Sequence, residues 1–99
     1  MGVKENTLPE YNLRLFITGA SPNSIKAISN LKTICDKYLQ GRYTLEVIDI
    51  YQQPEAASFE QVIAVPLLIK SSPAPFKRLV GNMSDTAQVL KGLQINESV

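Results

Sequence analysis

Ninety-nine residues hold one domain and no more, and at that size a chain buries somewhat over ~60% of the surface it exposes when unfolded. With 44% hydrophobic and 19% charged residues the composition is that of an ordinary globular protein, which excludes a disordered or fibrous chain. Ten basic against nine acidic residues leave a net charge of +1, too little for the broad positive field that draws nucleic acid or an anionic membrane.

What the chain lacks narrows the chemistry further. It has no histidine, and so no use of the commonest general base, nucleophile-activating partner and transition-metal ligand. Cys35 is the single cysteine; it cannot form an internal disulfide, and its place inside a helical pattern reads as a small buried side chain. The opening residues Met1-Gly2-Val3-Lys4-Glu5-Asn6 carry both charge signs and no apolar run, which is not a secretory signal, and Asn6 stands where a myristoylation motif wants Ser or Thr. No stretch approaches the ~18 apolar residues that span a bilayer. A cytoplasmic protein with no catalytic residue, no cofactor and no metal is expected.

In chain order, residues 1–10 read as a loose, polar, Pro9-containing lead-in, residues 11–93 as the domain and residues 94–99 as a frayed tail. Leu13, Leu15 and Ile17 alternate with Arg14 and Phe16, the period-2 pattern of a strand whose second face is partly covered. Gly19 permits a turn, Ser21 suits an N-cap and Pro22 suits a first helical position. Ile25, Ile28, Leu31, Ile34/Cys35 and Tyr38/Leu39 then form one apolar stripe at helical spacing, and Gly41 ends it. Tyr43 to Ile50 is a second strand, expected parallel to the first because a helical crossover joins them.

After the break at Gln52-Gln53-Pro54, Glu55 to Val62 reads as a short helix with Ala56, Ala57 and Phe59 inward. A third strand starts at Pro66, because a proline inside an apolar β-run belongs at its first residue, an edge or a bulge. Ser71-Ser72-Pro73-Ala74-Pro75 is a stiff turn, and Phe76 to Gly81 completes a hairpin. A last helix follows, capped by Ser84 with Asp85 in its first turn, and runs through Ala87, Val89 and Leu90 to Gly92-Leu93.

Few residues point to chemistry. Ser21 or Ser24 at the turn after the first strand would need a base to become a nucleophile, and none is at hand, so the pair reads first as a helix cap. Asp49 ends a strand where many α/β folds bind ligands, but a single carboxylate reads first as a turn or capping residue. Lys26, Lys70, Lys77 and Arg78 either gather into a basic patch for an acidic partner or lie as separate solvated charges. Tyr38, Tyr43 and Tyr51 read as aromatics at the rim of the core. Residue patterns leave the isomer of the Val65–Pro66 bond open.

The order βαβαββα, with a turn-and-helix corner after the first strand and a proline opening the third, resembles the thioredoxin-like arrangement, a single three-layer-derived α/β domain. In such domains the corner carries Cys-x-x-Cys; here it reads Ser21-Pro22-Asn23-Ser24, which cannot cycle between dithiol and disulfide. Local strings resemble the KaiB family of circadian clock proteins, with its relatives at the front of some histidine kinases: Leu15 to Ser24, Tyr43 to Ile50 followed by Pro54, Ala64-Val65-Pro66 leading to Lys70, and Pro73-Ala74-Pro75 before Arg78-Leu79-Val80-Gly81 and Ser84. The resemblance runs from about Tyr11 to Leu93.

It implies a non-enzymatic protein with two folds: a tetrameric ground state with its own C-terminal half, and a monomeric thioredoxin-like state that binds the KaiC ATPase. It further implies a switching segment from about Tyr51 to Leu93, with Pro66, Pro73, Pro75 and Gly92 as the switch positions. X–Pro isomers differ by only ~1 kcal/mol and interconvert slowly, which suits a slow bistable element. The partner surface implied lies on the second strand and second helix, at Thr44, Glu46, Glu55 and Ala56; Lys26, Lys77 and Arg78 are added from their charge. Glu46 replaces a basic family residue and Gln94 an aspartate, so a histidine kinase is the alternative partner, and a homo-oligomer, dimer or tetramer, is expected. A redox-inactive remnant of a thioredoxin-like oxidoreductase is the remaining alternative.

Overall fold

A computed structural model of the chain describes residues 10–95. Seven elements follow one another: β1 (Tyr11–Ile17), α1 (Pro22–Tyr38), β2 (Tyr43–Asp49), α2 (Pro54–Phe59), β3 (Leu67–Ser72), β4 (Lys77–Val80) and α3 (Thr86–Leu93). This is the βαβαββα order expected of a thioredoxin-like domain. Apart from Glu10, Gln94 and Ile95, the expected lead-in and tail lie outside the described residues.

The strands form one sheet in the order β2-β1-β3-β4. β1 and β2 are parallel, Tyr11 opposite Tyr43 through Ile17 opposite Asp49, as a connection through the 17-residue α1 dictates. β3 returns antiparallel on the other side of β1, with an irregularity between Asn12 and Leu13, and β4 pairs antiparallel with β3. Alternation along β1 splits the interior in two. Leu13, Leu15 and Ile17 join Leu68 beneath Ala27, Leu31, Ile34, Cys35 and Leu39 of α1 and Val89, Leu90 and Leu93 of α3. Phe16 faces the other way, with Ile48, Leu67 and Ile69, against Ala56, Val62 and Val65. Two helices cover one face and the short α2 the other, giving three layers. Phe16, with no exposed surface, contributes on the order of 1.5–3 kcal/mol through burial.

α1 begins at Pro22 with Ser21 as its N-cap, as the sequence suggested. Several other expectations need correction. The stripe of α1 buries Ala27 instead of Ile25, which is 55% exposed one turn from the helix start, where the sheet beneath has ended. Gln40 takes the left-handed conformation after α1 before Gly41 does (φ 44° and 86°), its N–H donating to the Cys35 carbonyl. α2 stops at Phe59, and Gln61 turns left-handed (φ 57°). One and a half turns of helix can set only Ala56 and Ala57 towards the sheet, so Phe59 stands outward, 85% exposed. β3 runs on through Ser72, which the sequence assigned to the turn.

At the last helix the cap is Asp85, not Ser84: its carboxylate accepts the Gln88 N–H at 3.1 Å, while the Ser84 N–H is taken by Asn82 Oδ1. Within the described residues the helix end is closed at Gln94 and Ile95. Gln94 is left-handed (φ 60°, ψ 42°), its N–H donating to the Lys91 carbonyl and that of Ile95 to Leu90, and Ile95 is buried.

Candidate partner-binding surface

The corner between β1 and α1 is where this architecture can hold chemistry, and here its own side chains fill it. Gly19 is left-handed (φ 53°), and a Cβ there would stand 3.7 Å from the Tyr51 ring. Ser21 caps α1: the Ser24 N–H donates to its Oγ, and its hydroxyl donates to Ser24 Oγ at 2.8 Å. Ser24 is fully buried and also accepts the Thr18 N–H at 3.0 Å. From the far side Asp49 Oδ1 accepts the N–H groups of Gly19 (3.1 Å) and Tyr51 (2.9 Å).

A strand-to-helix corner presents donors to an anion; this one presents several of them to Asp49 and to its own serines. Asp49 is thus the turn residue the sequence suggested. The one thiol lies elsewhere, on α1, where burial first and Asp36 second push Cys35 up to about 12, far from a nucleophile's range. Tyr51, read as a rim aromatic, is 75% exposed and lies along the corner.

The partner candidates divide between the layers. β2 is an edge strand, and Thr44 and Glu46 are both exposed on it. Register sets Glu46, Arg14, Ile69 and Arg78 in one row across all four strands, on the face that α2 covers. In that row the Arg14 guanidinium pairs with the Glu60 carboxylate at 2.5 Å, and the Arg78 guanidinium donates to the carbonyls of Glu60 (2.9 Å) and Gln61 (3.3 Å). Two arginines from the sheet therefore hold the C-terminal end of α2.

Glu55 is exposed in the first turn of α2, and Ala56 is half-buried beneath it, so Thr44, Glu46, Glu55 and Arg78 belong to one side of the molecule. Lys26 stands exposed on α1, on the opposite side, and Lys77 is half-buried on the face of α1 and α3. The basic residues do not form a patch: Lys77 and Arg78 point to opposite faces, and Lys70 is buried. Sequence reasoning passed over Arg14 and Glu60. The available signal was a charge on the covered face of β1, which requires a partner.

Large apolar side chains left in solvent concentrate in the second half of the chain. Among the described residues, Tyr51, Phe59, Ile63, Phe76 and Val80 are 52–97% exposed, against Ile25 and Val47 in the first half. The bonds preceding Pro66, Pro73 and Pro75 are all cis. Pro66 is buried, and its carbonyl accepts the Gly81 N–H. Gly92 sits near the end of α3, where an added Cβ would come within 2.5 Å of a Leu79 methyl; the glycine is what lets α3 lie this close to β4.

Comparison with known proteins places this geometry. In solved structures the fold is similar to the N-terminal domain of Synechococcus elongatus SasA, with a TM-score of 0.70 at 21% identity over 100% of this chain and 97% of that one. It is similar also to the thioredoxin Deadhead of Drosophila melanogaster, with a TM-score of 0.69 at 14% identity over 86% and 79%. In sequence it is 46% identical over 83 residues to the circadian clock protein KaiB3 of a Synechocystis strain, covering 84% of this chain and 81% of that protein. The KaiB domain itself matches residues 14–95, and with that match the chain belongs to the KaiB family.

Proposed function

We propose that this protein is a non-enzymatic, cytoplasmic regulator that binds a KaiC-type ATPase in the thioredoxin-like arrangement and exchanges with a self-associated arrangement of the same chain. The observation that carries the reading is the distribution of exposed apolar side chains. Five of the seven large ones among the described residues fall between Tyr51 and Val80, the half that the family rearranges. Grouped along one stretch of the chain, these side chains are what a partner or another packing of that stretch would cover. The closed corner supports a binding role over catalysis, since the hydroxyls of Ser21 and Ser24 are engaged in capping and Cys35 is buried in the core near the other end of α1.

A partner that binds only one arrangement pulls the equilibrium towards it by no more than its differential affinity. The test is to incubate the purified chain with the KaiC-type ring of the same organism over many hours and to follow complex formation by size-exclusion chromatography. A slowly forming complex, at the expense of any self-associated species, is the expected result. No complex from two folded partners refutes the reading. A second reading, an adaptor for a histidine kinase, is favoured by Glu46, an acidic residue exposed on the edge strand where the family resemblance implies a basic one; binding to the kinase and not to the ring decides for it.

A further inference from the structure

Lys70 lies on β3 between Leu13 of β1 and Lys77 of β4, on the face that α1 and α3 cover, and is 1% exposed. An apolar side chain would fill that place without the cost of burying an ammonium. Among the described residues no carboxylate pairs with it. Its Nζ instead donates to the carbonyl of Leu93, the last residue of α3, at 3.3 Å, and stands 5.7 Å from the centre of the Tyr11 ring. The Tyr11 hydroxyl in turn donates to the carbonyl of Gln94 at 3.3 Å.

The last carbonyls of a helix have no partner within it and carry the negative end of its dipole, so a buried cation and a buried hydroxyl are suited to close it. α3 has eight residues, too few to hold together in water by itself. Burial, and after it the neighbouring Lys77, lower the pKa of Lys70, as expected for a charge held away from solvent without a counter-ion.

We propose that Lys70, with Tyr11, is a buried clasp that fastens the C-terminal end of α3 to the sheet, so that loss of the clasp frees α3 while β1, α1 and β2 stay folded. Lys70 is a positioning residue in this scheme: it touches no partner and acts through the order of α3. The inference deepens the proposed exchange between arrangements and rests on that reading for its biological meaning, since α3 belongs to the half that rearranges.

The test is hydrogen exchange on the purified chain with no partner present. In Lys70→Met, which keeps an unbranched side chain one atom shorter and removes the donor, amides from Gln88 to Leu93 should exchange at least tenfold faster, while those of Leu15 and Phe16 stay within threefold of the parent. Tyr11→Phe, which removes only the hydroxyl, should accelerate the same α3 amides by about threefold, and it decides the matter alone if Lys70→Met does not fold. Uniform acceleration through β1 and α3 would reduce Lys70 to a contributor to global stability, and no acceleration would leave α3 fastened by its apolar face; either result overturns the clasp. Failure to bind a KaiC-type ring leaves this outcome untouched, so the two readings fail separately.

Discussion

Replacing Asp49 by alanine tests whether the corner is held from the β2 side. The substitution removes one carboxylate oxygen that accepts two backbone donors, Gly19 N–H at 3.1 Å and Tyr51 N–H at 2.9 Å, and leaves the Asp49 carbonyl bonded to the N–H groups of Gln52 and Gln53. Hydrogen bonds to a charged group contribute about 1.5–3 kcal/mol each when shielded. Asp49 is only half-buried and water can replace part of what is lost, so the expected cost for both is about 2–3 kcal/mol. For a domain of this size that corresponds to a fall in Tm of roughly 10–20 °C. Asp49→Asn keeps an acceptor oxygen and loses the charge, so it should cost about 1 kcal/mol. Urea unfolding of a monomeric sample, followed by far-ultraviolet circular dichroism, measures both. A loss below about 0.5 kcal/mol in the alanine variant would show that solvent serves the two amides as well as Asp49 does, and the account of the corner would fall.

Other consequences are open to measurement. Gln94 is left-handed at the end of α3, so Gln94→Gly should raise stability by roughly 0.5–1 kcal/mol, and a lower Tm in that variant would contradict the capping geometry. The Cys35 thiol, at about 12 when folded against 9.0 when unfolded, keeps its proton after the unfolded chain has lost it. Its share of stability is therefore complete below pH 9 and declines by about 1.4 kcal/mol per pH unit above it. Between pH 8.5 and 10.5 the parent should lose about 2 kcal/mol more than Cys35→Ala, and equal losses in urea titrations would disprove the assignment. Glu46→Lys should change affinity for a KaiC-type ring about tenfold or more, strengthening it where the ring's own partner carries a basic residue there, and cost less than ~1 kcal/mol of stability through the like-charge pair it makes with its cross-strand neighbour Arg14. Calorimetric titration that registers no change would remove Glu46 from the interface.

The first half of the chain was legible because its signals agree. Alternation in β1 and β2, a cap, a proline and one apolar stripe in α1 all point to a parallel βαβ unit, and the errors there concern ends, such as Ile25. The second half was less so, since local propensity there does not decide orientation. Phe59 read as inward because it is large and apolar, yet a six-residue helix has room for two alanines against the sheet and no more. Ser84 and Asp85 are adjacent and both suited to cap, and the helix takes Asp85, whose carboxylate meets the Gln88 N–H. Lys70 read as a surface charge because a lysine in a strand usually is one; that its carbonyl partner would come from α3 is a tertiary fact with no local trace.

The place of β1 in the sheet sets an order of assembly. Leu15 reaches Val47 across a single helix, but reaches Leu68 only after that helix, β2 and α2 have intervened. Contacts closer in sequence lose less chain entropy on closing, so the parallel pair forms early and β3 joins late. Until it does, one side of the seven-residue β1 is an unsatisfied ladder of donors and acceptors. Such a ladder is a template for any strand that arrives first. The rate at which β3 returns therefore governs how long each molecule offers β1 to its neighbours, and protein concentration becomes a control on which arrangement the chain reaches.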